Sequence, residues 1–201
     1  MSEQYTSEEN IYASPDAELV HKDAENLESQ AHFFTVSRKK LVIMSIATLN
    51  LYLIYWFFKN WMLQKRNANF SCIPVLRAIF SIFFTHSLFT QIDETLRINK
   101  SKNHLNGGMA SLYVLVTIGF IFINKWEPNA GDVALYAVSF IGMVVAQFVP
   151  FWYVQPLINE INQDPQGLEN NQLTLLNWVF ILLGVAYWAL LSIGVVAIAY
   201  L

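Results

Sequence analysis

Residues 41–58 read LVIMSIATLNLYLIYWFF, eighteen consecutive residues without a charged side chain. This length is sufficient for a helix that crosses a hydrocarbon core of about 30 Å. The stretch ends in aromatic residues and continues into Lys59 and Trp61. Because amphipathic rings favour the headgroup level of a bilayer, we predict a first transmembrane helix over residues 41–60 with an aromatic belt at its second end.

The composition of the whole chain also indicates a membrane protein. Of its 201 residues, 55% are apolar and only 13% are charged, whereas a soluble domain carries about 25% charged residues. Four further apolar stretches predict helices at 73–92, 109–123, 133–154 and 173–200. The fold class that we predict is all-α, a polytopic integral membrane bundle of four or five transmembrane helices within residues 36–201.

The second stretch, 73–92, leaves two alternatives open. Arg77, Ser81 and Thr85 recur every fourth residue, so they form a polar stripe on a helix that is otherwise apolar. Such a helix either crosses the membrane with its stripe facing protein or lies in the interface. We favour the crossing because the apolar length is sufficient.

Residues 1–35 form a separate acidic segment. Eight acidic residues and one basic residue lie between Met1 and His32. Low apolar content with excess charge predicts a disordered tail, and a short helix capped by Ser14 is the alternative. No basic region followed by an apolar run opens the sequence, so we expect no cleaved signal peptide.

The distribution of basic residues predicts the orientation. With five spans and a cytoplasmic N-terminus, the cytoplasmic segments hold seven Lys and Arg residues and the outer segments hold four. This arrangement agrees with the positive-inside rule. If residues 73–92 do not cross, the basic residues from Lys59 to Lys102 share one side, and the N-terminus is expected outside instead.

The pattern from Val36 to Trp61, VS-x2-KL-x-IM-x3-T-x3-Y-x2-YWF-x-KNW, resembles a family of small bacterial inner-membrane proteins of unknown function. Scattered similarity continues as far as Asn177. The chain departs from the pattern at Asn50, where glycine is expected, which puts a helix break there in doubt. The resemblance implies an integral protein of the bacterial cytoplasmic membrane and implies no activity.

Two sets of residues are candidate contact sites. Tyr52, Tyr55 and Lys59 share a helical face with Thr48, and Arg77 lies within an apolar stretch, so we predict lipid or substrate contacts at these positions. The simpler alternative is an aromatic belt with basic side chains that extend to the membrane surface. Neutral amides cluster around the connection between the last two helices. We predict interhelical polar contacts for Asn50, Gln147, Asn159 and Asn177, with Gln155 and Asn162 in the same cluster.

A third face carries His86, Thr90 and Asp93 at positions i, i+4 and i+7. A proton relay and a pair of metal ligands are the alternatives here, and the metal lacks an obvious third ligand. The simplest interpretation is an exposed ion pair between Asp93 and Arg97.

Several classes of function find no support in the sequence. It contains one cysteine and no glycine-rich phosphate loop, HExxH or GxSxG motif, so we predict no catalytic, cofactor-binding or metal-binding residues. The basic residues flank apolar stretches, and we expect no nucleic-acid partner. The prediction is a non-enzymatic membrane subunit or scaffold that binds lipids, partner helices or copies of itself. The alternative is a small oligomeric transporter or permeation unit with a polar path near Arg77 and Asn50.

Overall fold

The structure is a computed structural model, and it describes residues 31–67 and 71–200. The chain divides after Ala31 into two units, and the second, His32–Leu201, contains all the helices of the described residues. The predicted disordered tail covers residues 1–35, of which 1–30 lie outside the described residues, whereas Phe33, Phe34 and Thr35 are described and buried. The described residues are helical and contain no strand, which confirms the all-α class.

Seven α-helices and one short 3₁₀ helix make up the described part of the chain. They are α1 Arg38–Ala47, α2 Leu51–Asn67, α3 Pro74–Ile79, α4 Ser81–Ile98, α5 Gly108–Ile123, α6 Val133–Ile161, the 3₁₀ helix Leu168–Asn170, and α7 Leu175–Ala199.

The first apolar stretch differs from its prediction, because residues 41–60 belong to two helices that form a hairpin. At the turn between α1 and α2, Asn50 reaches α6, where its Nδ2 donates to the Val144 carbonyl at 2.7 Å. From there α2 runs toward the C-terminal end of α6, and Trp56 Nε1 donates to Gln155 Oε1 at 2.6 Å. The start of α1 and the end of α2 therefore lie at the same end of the molecule.

The turn of this hairpin is held by two residues with positive φ. Leu49 has φ 48° and Asn50 has φ 65°, a region that asparagine enters more readily than other non-glycine residues. The Asn50 N–H donates back to the Ser45 carbonyl at 2.7 Å. The helix break that was in doubt at Asn50 is therefore present in the structure.

The second apolar stretch is also divided. Pro74 begins α3, as its missing N–H favours, and the helix ends at Phe80, where φ is −94° and ψ is 36°. The following helix, α4, runs past the predicted end at residue 92 to Ile98. The predicted single helix over 73–92 is therefore a short helix followed by a longer one.

The last three helices match their predicted positions more closely. The helix predicted at 109–123 is α5, and the one predicted at 173–200 is α7. The helix predicted at 133–154 is α6, and it continues through Pro150 and Pro156 to Ile161. The polar residues near its end are buried in tertiary contacts, which extends the helix beyond its apolar run.

Two helices, α6 and α7, are long and apolar enough to cross a membrane, judged by length and composition in the described residues. They contain 29 and 25 residues, which correspond to about 44 and 38 Å of helix. The apolar helix α5 is shorter.

Aromatic side chains fill the centre of the core. Phe151 of α6 packs edge-on against Trp56 and Phe57 of α2, with ring centroids 5.1 and 5.5 Å apart. Tyr113 of α5 and Phe89 of α4 contact the same ring, at 5.3 and 6.3 Å. Perpendicular arrangements of this kind are favourable for aromatic pairs, so one phenylalanine joins four helices.

Candidate functional site

The most extensive polar arrangement is a set of six amide side chains around the extended segment His32–Ser37. We call this set the amide cradle, and it consists of Asn60, Gln64, Gln155, Asn159, Asn162 and Asn170. All six amides are buried or half-buried, and the backbone that they contact is likewise removed from solvent from Phe33 onward.

Five consecutive carbonyls of the segment, from His32 to Val36, each accept a hydrogen bond from an amide of the cradle. The donors, in order, are Gln64, Asn162, Gln155, Asn170 and Asn159, at 2.8, 2.6, 3.0, 3.0 and 3.1 Å. The cradle thus satisfies the backbone of the segment without a partner strand, as a buried extended chain requires.

The N–H groups of the segment are bonded as well. Asn162 Oδ1 accepts from His32 and Phe33 at 3.0 and 3.4 Å, and Asn60 Oδ1 accepts from Phe34 at 3.0 Å. These contacts go to backbone atoms, so they hold an extended chain in register whatever its side chains are.

Helical spacing positions the cradle. Gln155, Asn159 and Asn162 lie at i, i+4 and i+7 on α6 and therefore share one face. Asn60 and Gln64 lie at i and i+4 on α2, at the same end of the molecule. The amides are also oriented by each other, since Gln155 Nε2 donates to Asn159 Oδ1 at 2.8 Å.

The loop after α6 closes over the end of the segment. Gly167 has φ 67°, and a Cβ at this position would lie 2.5 Å from the Val36 carbonyl carbon. Only glycine permits this close approach of two backbones. The Ser37 N–H donates to the Asn170 carbonyl of the same loop at 3.3 Å.

Lys40 lies beside the cradle and is buried, with 5% of its surface exposed. Its Nζ donates to Asn170 Oδ1 at 2.6 Å and to the Gln172 carbonyl at 2.7 Å. Burial lowers the pKa of the Lys40 ammonium below its usual value. This lysine thus anchors the loop between α6 and α7 instead of extending to a membrane surface.

The predicted lipid-contact residues occupy different environments. Tyr52 is buried and its N–H donates to Thr48 Oγ1 at 3.0 Å, whereas Tyr55 is 45% exposed. Lys59 is half-buried, with its Nζ 5.9 Å from the centre of the Phe34 ring. The structure therefore does not present these residues as one exposed strip.

Arg77 lies between two aromatic rings. Its guanidinium carbon is 4.4 Å from the centre of the Trp61 ring and 4.7 Å from that of Phe84. Stacking on ring faces is a favourable environment for an arginine in apolar surroundings.

The four predicted interhelical amides also divide. Asn159 belongs to the cradle, and Asn50 contacts α6 at Val144 and at Gln147, whose Oε1 accepts at 3.2 Å. Gln147 in turn donates to Thr117 Oγ1 of α5 at 3.1 Å. Asn177 instead caps its own helix in a reciprocal pair with Thr174, which differs from the interhelical contact we predicted.

Sequence analysis missed three amides of the cradle, Asn60, Gln64 and Asn170. Asn60 and Gln64 lie in the sequence after an aromatic run that indicates a membrane interface, and their partner segment 32–37 shows no periodic pattern. The spacing of Asn60 and Gln64 on one helical face is the only signal that the sequence offers.

No family model matches this chain, and no curated protein or solved structure matches it. The cradle consists of neutral amides, which donate and accept hydrogen bonds without titrating near neutral pH. What this arrangement can do is bind and position an extended chain.

Proposed function

We propose that this chain is a multi-pass protein of the bacterial cytoplasmic membrane that acts as a non-enzymatic subunit or scaffold. The observation that carries the proposal is the amide cradle, in which six buried or half-buried amides of the apolar body bind the protein's own segment 32–37. That segment directly follows the acidic N-terminal residues. The body therefore provides a fixed attachment point for an acidic chain at one end of a membrane bundle.

The exposed surface supports a membrane location. Among the residues of α7, only Gly184 is buried, and large apolar side chains cover the rest of this helix, with Leu182 and Leu190 among the exposed ones. A contiguous apolar surface of this extent is typical of a lipid or protein contact. We propose that α5, α6 and α7 cross the membrane.

The first hairpin and the divided stretch α3–α4 suggest a revised topology in place of four or five crossings. In this proposal α1–α2 and α3–α4 enter the membrane from the cradle end and return to it, as helices buried against other helices can do. The proposed crossings are then three. Ser101 Oγ and Asn103 Nδ2, in the loop after α4, donate to Glu160 at 2.7 and 2.8 Å, so this loop lies at the cradle end. Nine basic residues then lie at that end, namely Arg38, Lys39, Lys40, Lys59, Lys65, Arg66, Arg97, Lys100 and Lys102, and Lys125 lies in the loop at the opposite end of α5.

This distribution supports a cytoplasmic cradle end through the positive-inside rule. The N-terminal segment is then cytoplasmic too. Residues 73–92 do not cross the membrane in this topology. The N-terminus is nevertheless cytoplasmic, because the first hairpin also returns to the side of the membrane on which it starts.

One observation favours the alternative of a small transporter with a polar path. Asn50, Gln147 and Thr117 form a hydrogen-bonded chain across three parts of the bundle, with links of 3.2 and 3.1 Å. Arg77 contacts Trp61 and Phe84 instead. Asn50 and Arg77, which the expected polar path would join, thus belong to separate sets of contacts. This separation supports the scaffold more strongly than the transporter.

The experiment that tests the scaffold compares the full chain with a variant in which the eight N-terminal acids are changed to their amides. Both proteins, tagged at the C-terminus, are purified from native membranes in lipid discs, and bound proteins are quantified by mass spectrometry. We expect a stoichiometric partner that is lost from the amide variant. A homo-oligomer without partner, with solute flux in liposomes that Asn50→Leu alters, would replace the scaffold with the transporter.

A further inference from the structure

A cavity of about 350 Å³ lies between α4 and the start of α5. Its apolar lining consists of Phe89, Leu105 and Ala110, all of them buried. The polar lining is His86, Thr90, Asp93, Arg97 and Asn106, with the backbone of Gly107. A volume of this size lies within the range of roughly 300–1,000 Å³ that small-molecule sites occupy, and such sites combine an apolar wall with a few convergent polar groups.

Helical periodicity places the charged and polar groups on one wall. His86, Asp93 and Arg97 lie at i, i+7 and i+11 of α4 and share its face with Thr90. The described residues contain no group of three His, Cys, Asp or Glu side chains that could hold a metal ion. The groups on this wall are therefore suited to a ligand that makes hydrogen bonds and ion pairs.

The two charged groups of the cavity are held in place. Asp93 Oδ2 accepts from Arg97 Nε at 2.8 Å, and Asp93 Oδ1 accepts from the Leu105 N–H at 2.9 Å. The side chain of Asp93 is 13% exposed and that of Arg97 is 67% exposed. Because the ion pair uses the Nε edge of Arg97, the terminal amino groups of the guanidinium remain as donors for a ligand.

The remaining wall adds two polar positions. His86 Nε2 lies 3.2 Å from Ser111 Oγ on α5, which orients the imidazole beside the cavity. Asn106 and Gly107 immediately precede α5, and Asn106 Oδ1 accepts from the Gly108 N–H at 2.8 Å, which fixes the Asn106 amide at the cavity.

The charges decide the class of ligand. The carboxylate of Asp93 and the guanidinium of Arg97 carry opposite charges side by side. A simple anion would therefore be repelled by Asp93, and a simple cation would be repelled by Arg97. A ligand that carries both charges satisfies both groups. We propose that this cavity binds the phosphoethanolamine group of a phosphodiester, in which the phosphate is joined through an ethylene chain to a primary ammonium, with the phosphate on Arg97 and the ammonium on Asp93.

Arginine suits the phosphate because its planar fork matches two phosphate oxygens. The same chemistry occurs in a phospholipid headgroup and in water-soluble glycerophosphoethanolamine. The lipid source rests on the proposed membrane location, since α4 then ends at the cytoplasmic surface. The site itself does not depend on that location.

The test titrates the full-length protein in detergent with two probes, dihexanoyl phosphatidylethanolamine and glycerophosphoethanolamine, by isothermal titration calorimetry. We expect saturable binding of the lipid probe, at least about tenfold weaker in R97Q because a charge-assisted contact is lost. The matched control is R66Q, an exposed arginine at the end of α2 that contacts Asn67, and its affinity should be unchanged within about twofold. H86A changes the other end of the cavity wall and leaves the Asp93–Arg97 pair intact, so it should weaken binding of the lipid probe less than R97Q does.

Failure of both probes to saturate, or equal loss of affinity in R97Q and R66Q, would overturn the proposal. Equal affinity for dihexanoyl phosphatidylglycerol, which lacks the ammonium, would overturn the role of Asp93. Binding of both zwitterionic probes with equal affinity would support the site with a soluble ligand, whereas preference for the lipid supports the headgroup. These results do not depend on any protein partner, so the scaffold proposal and this site fail independently.

Discussion

Gly184 of α7 offers the sharpest test of how the bundle is assembled, because it allows α7 to touch the turn of the first hairpin. A Cβ at Gly184 would lie 1.8 Å from the Ala47 carbonyl oxygen, whereas ordinary contacts begin at 3.4 Å. Gly184→Ala therefore requires the two backbones to separate by at least 1.6 Å. Trp188 Nε1, which donates to the Ile46 carbonyl at 2.9 Å, would lose its bond in the same movement.

The expected cost combines overpacking with the lost hydrogen bond, about 2–4 kcal/mol in the free energy of unfolding. The assay is unfolding of the detergent-solubilised protein by SDS, followed by tryptophan fluorescence. Gly194→Ala is the matched control on the same helix, since a Cβ there meets nothing within 4 Å. We expect it to be neutral or stabilising by up to about 1 kcal/mol. Equal stability of the two variants would refute the contact between α7 and the hairpin.

Two further substitutions test the cradle and the buried lysine. Asn159→Leu removes the donor to Val36 and the acceptor for Gln155, so the same unfolding assay should show a loss of about 2–4 kcal/mol in the free energy of unfolding. The control is Gln166→Leu at an exposed position, which should cost less than about 0.5 kcal/mol. Similar losses in both variants would argue against the cradle. Lys40→Met tests the lowered pKa of Lys40. Lys40 binds its proton more tightly in the unfolded chain than in the folded one. The free energy of unfolding of the wild type, relative to that of the variant, should therefore rise with pH between the lowered folded-state pKa and 10.5. A difference that does not change with pH over that alkaline range would mean that Lys40 is solvated.

Uninterrupted apolar runs explain why the last helices were predictable. The helix predicted at 109–123 is Gly108–Ile123, and the one at 173–200 is Leu175–Ala199. Polar residues flank both ends of the first run and the start of the second, so local sequence is sufficient there. Neither helix depends on a distant side chain for its boundaries.

The hairpin at Asn50 was not predictable from local sequence. An apolar run of eighteen residues is long enough to cross a membrane, and no glycine or proline interrupts it. At the break, the Asn50 side chain bonds to Val144, 94 residues away. A contact of this separation leaves no periodic signal in either stretch.

The candidate site shows the same limit. The clustered amides Gln155, Asn159 and Asn162 stand out in the sequence, because they begin a polar stretch directly after a long apolar run. Their ligand is the protein's own backbone at residues 32–37. Backbone atoms are the same at every residue, so the composition of that segment gives no indication that it is bound.

In the proposed topology, the first two apolar stretches each begin and end on the cytoplasmic side of the membrane. Single cysteines at Lys39, Lys65, Lys102 and Lys125, in a Cys72→Ser background, would be labelled in oriented membrane vesicles with a membrane-impermeant maleimide. We predict that the first three react only from the cytoplasmic side and that the cysteine at Lys125 reacts only from the opposite side. Labelling of positions 39 and 65 from opposite sides would show that the first stretch crosses the membrane, and would contradict the account.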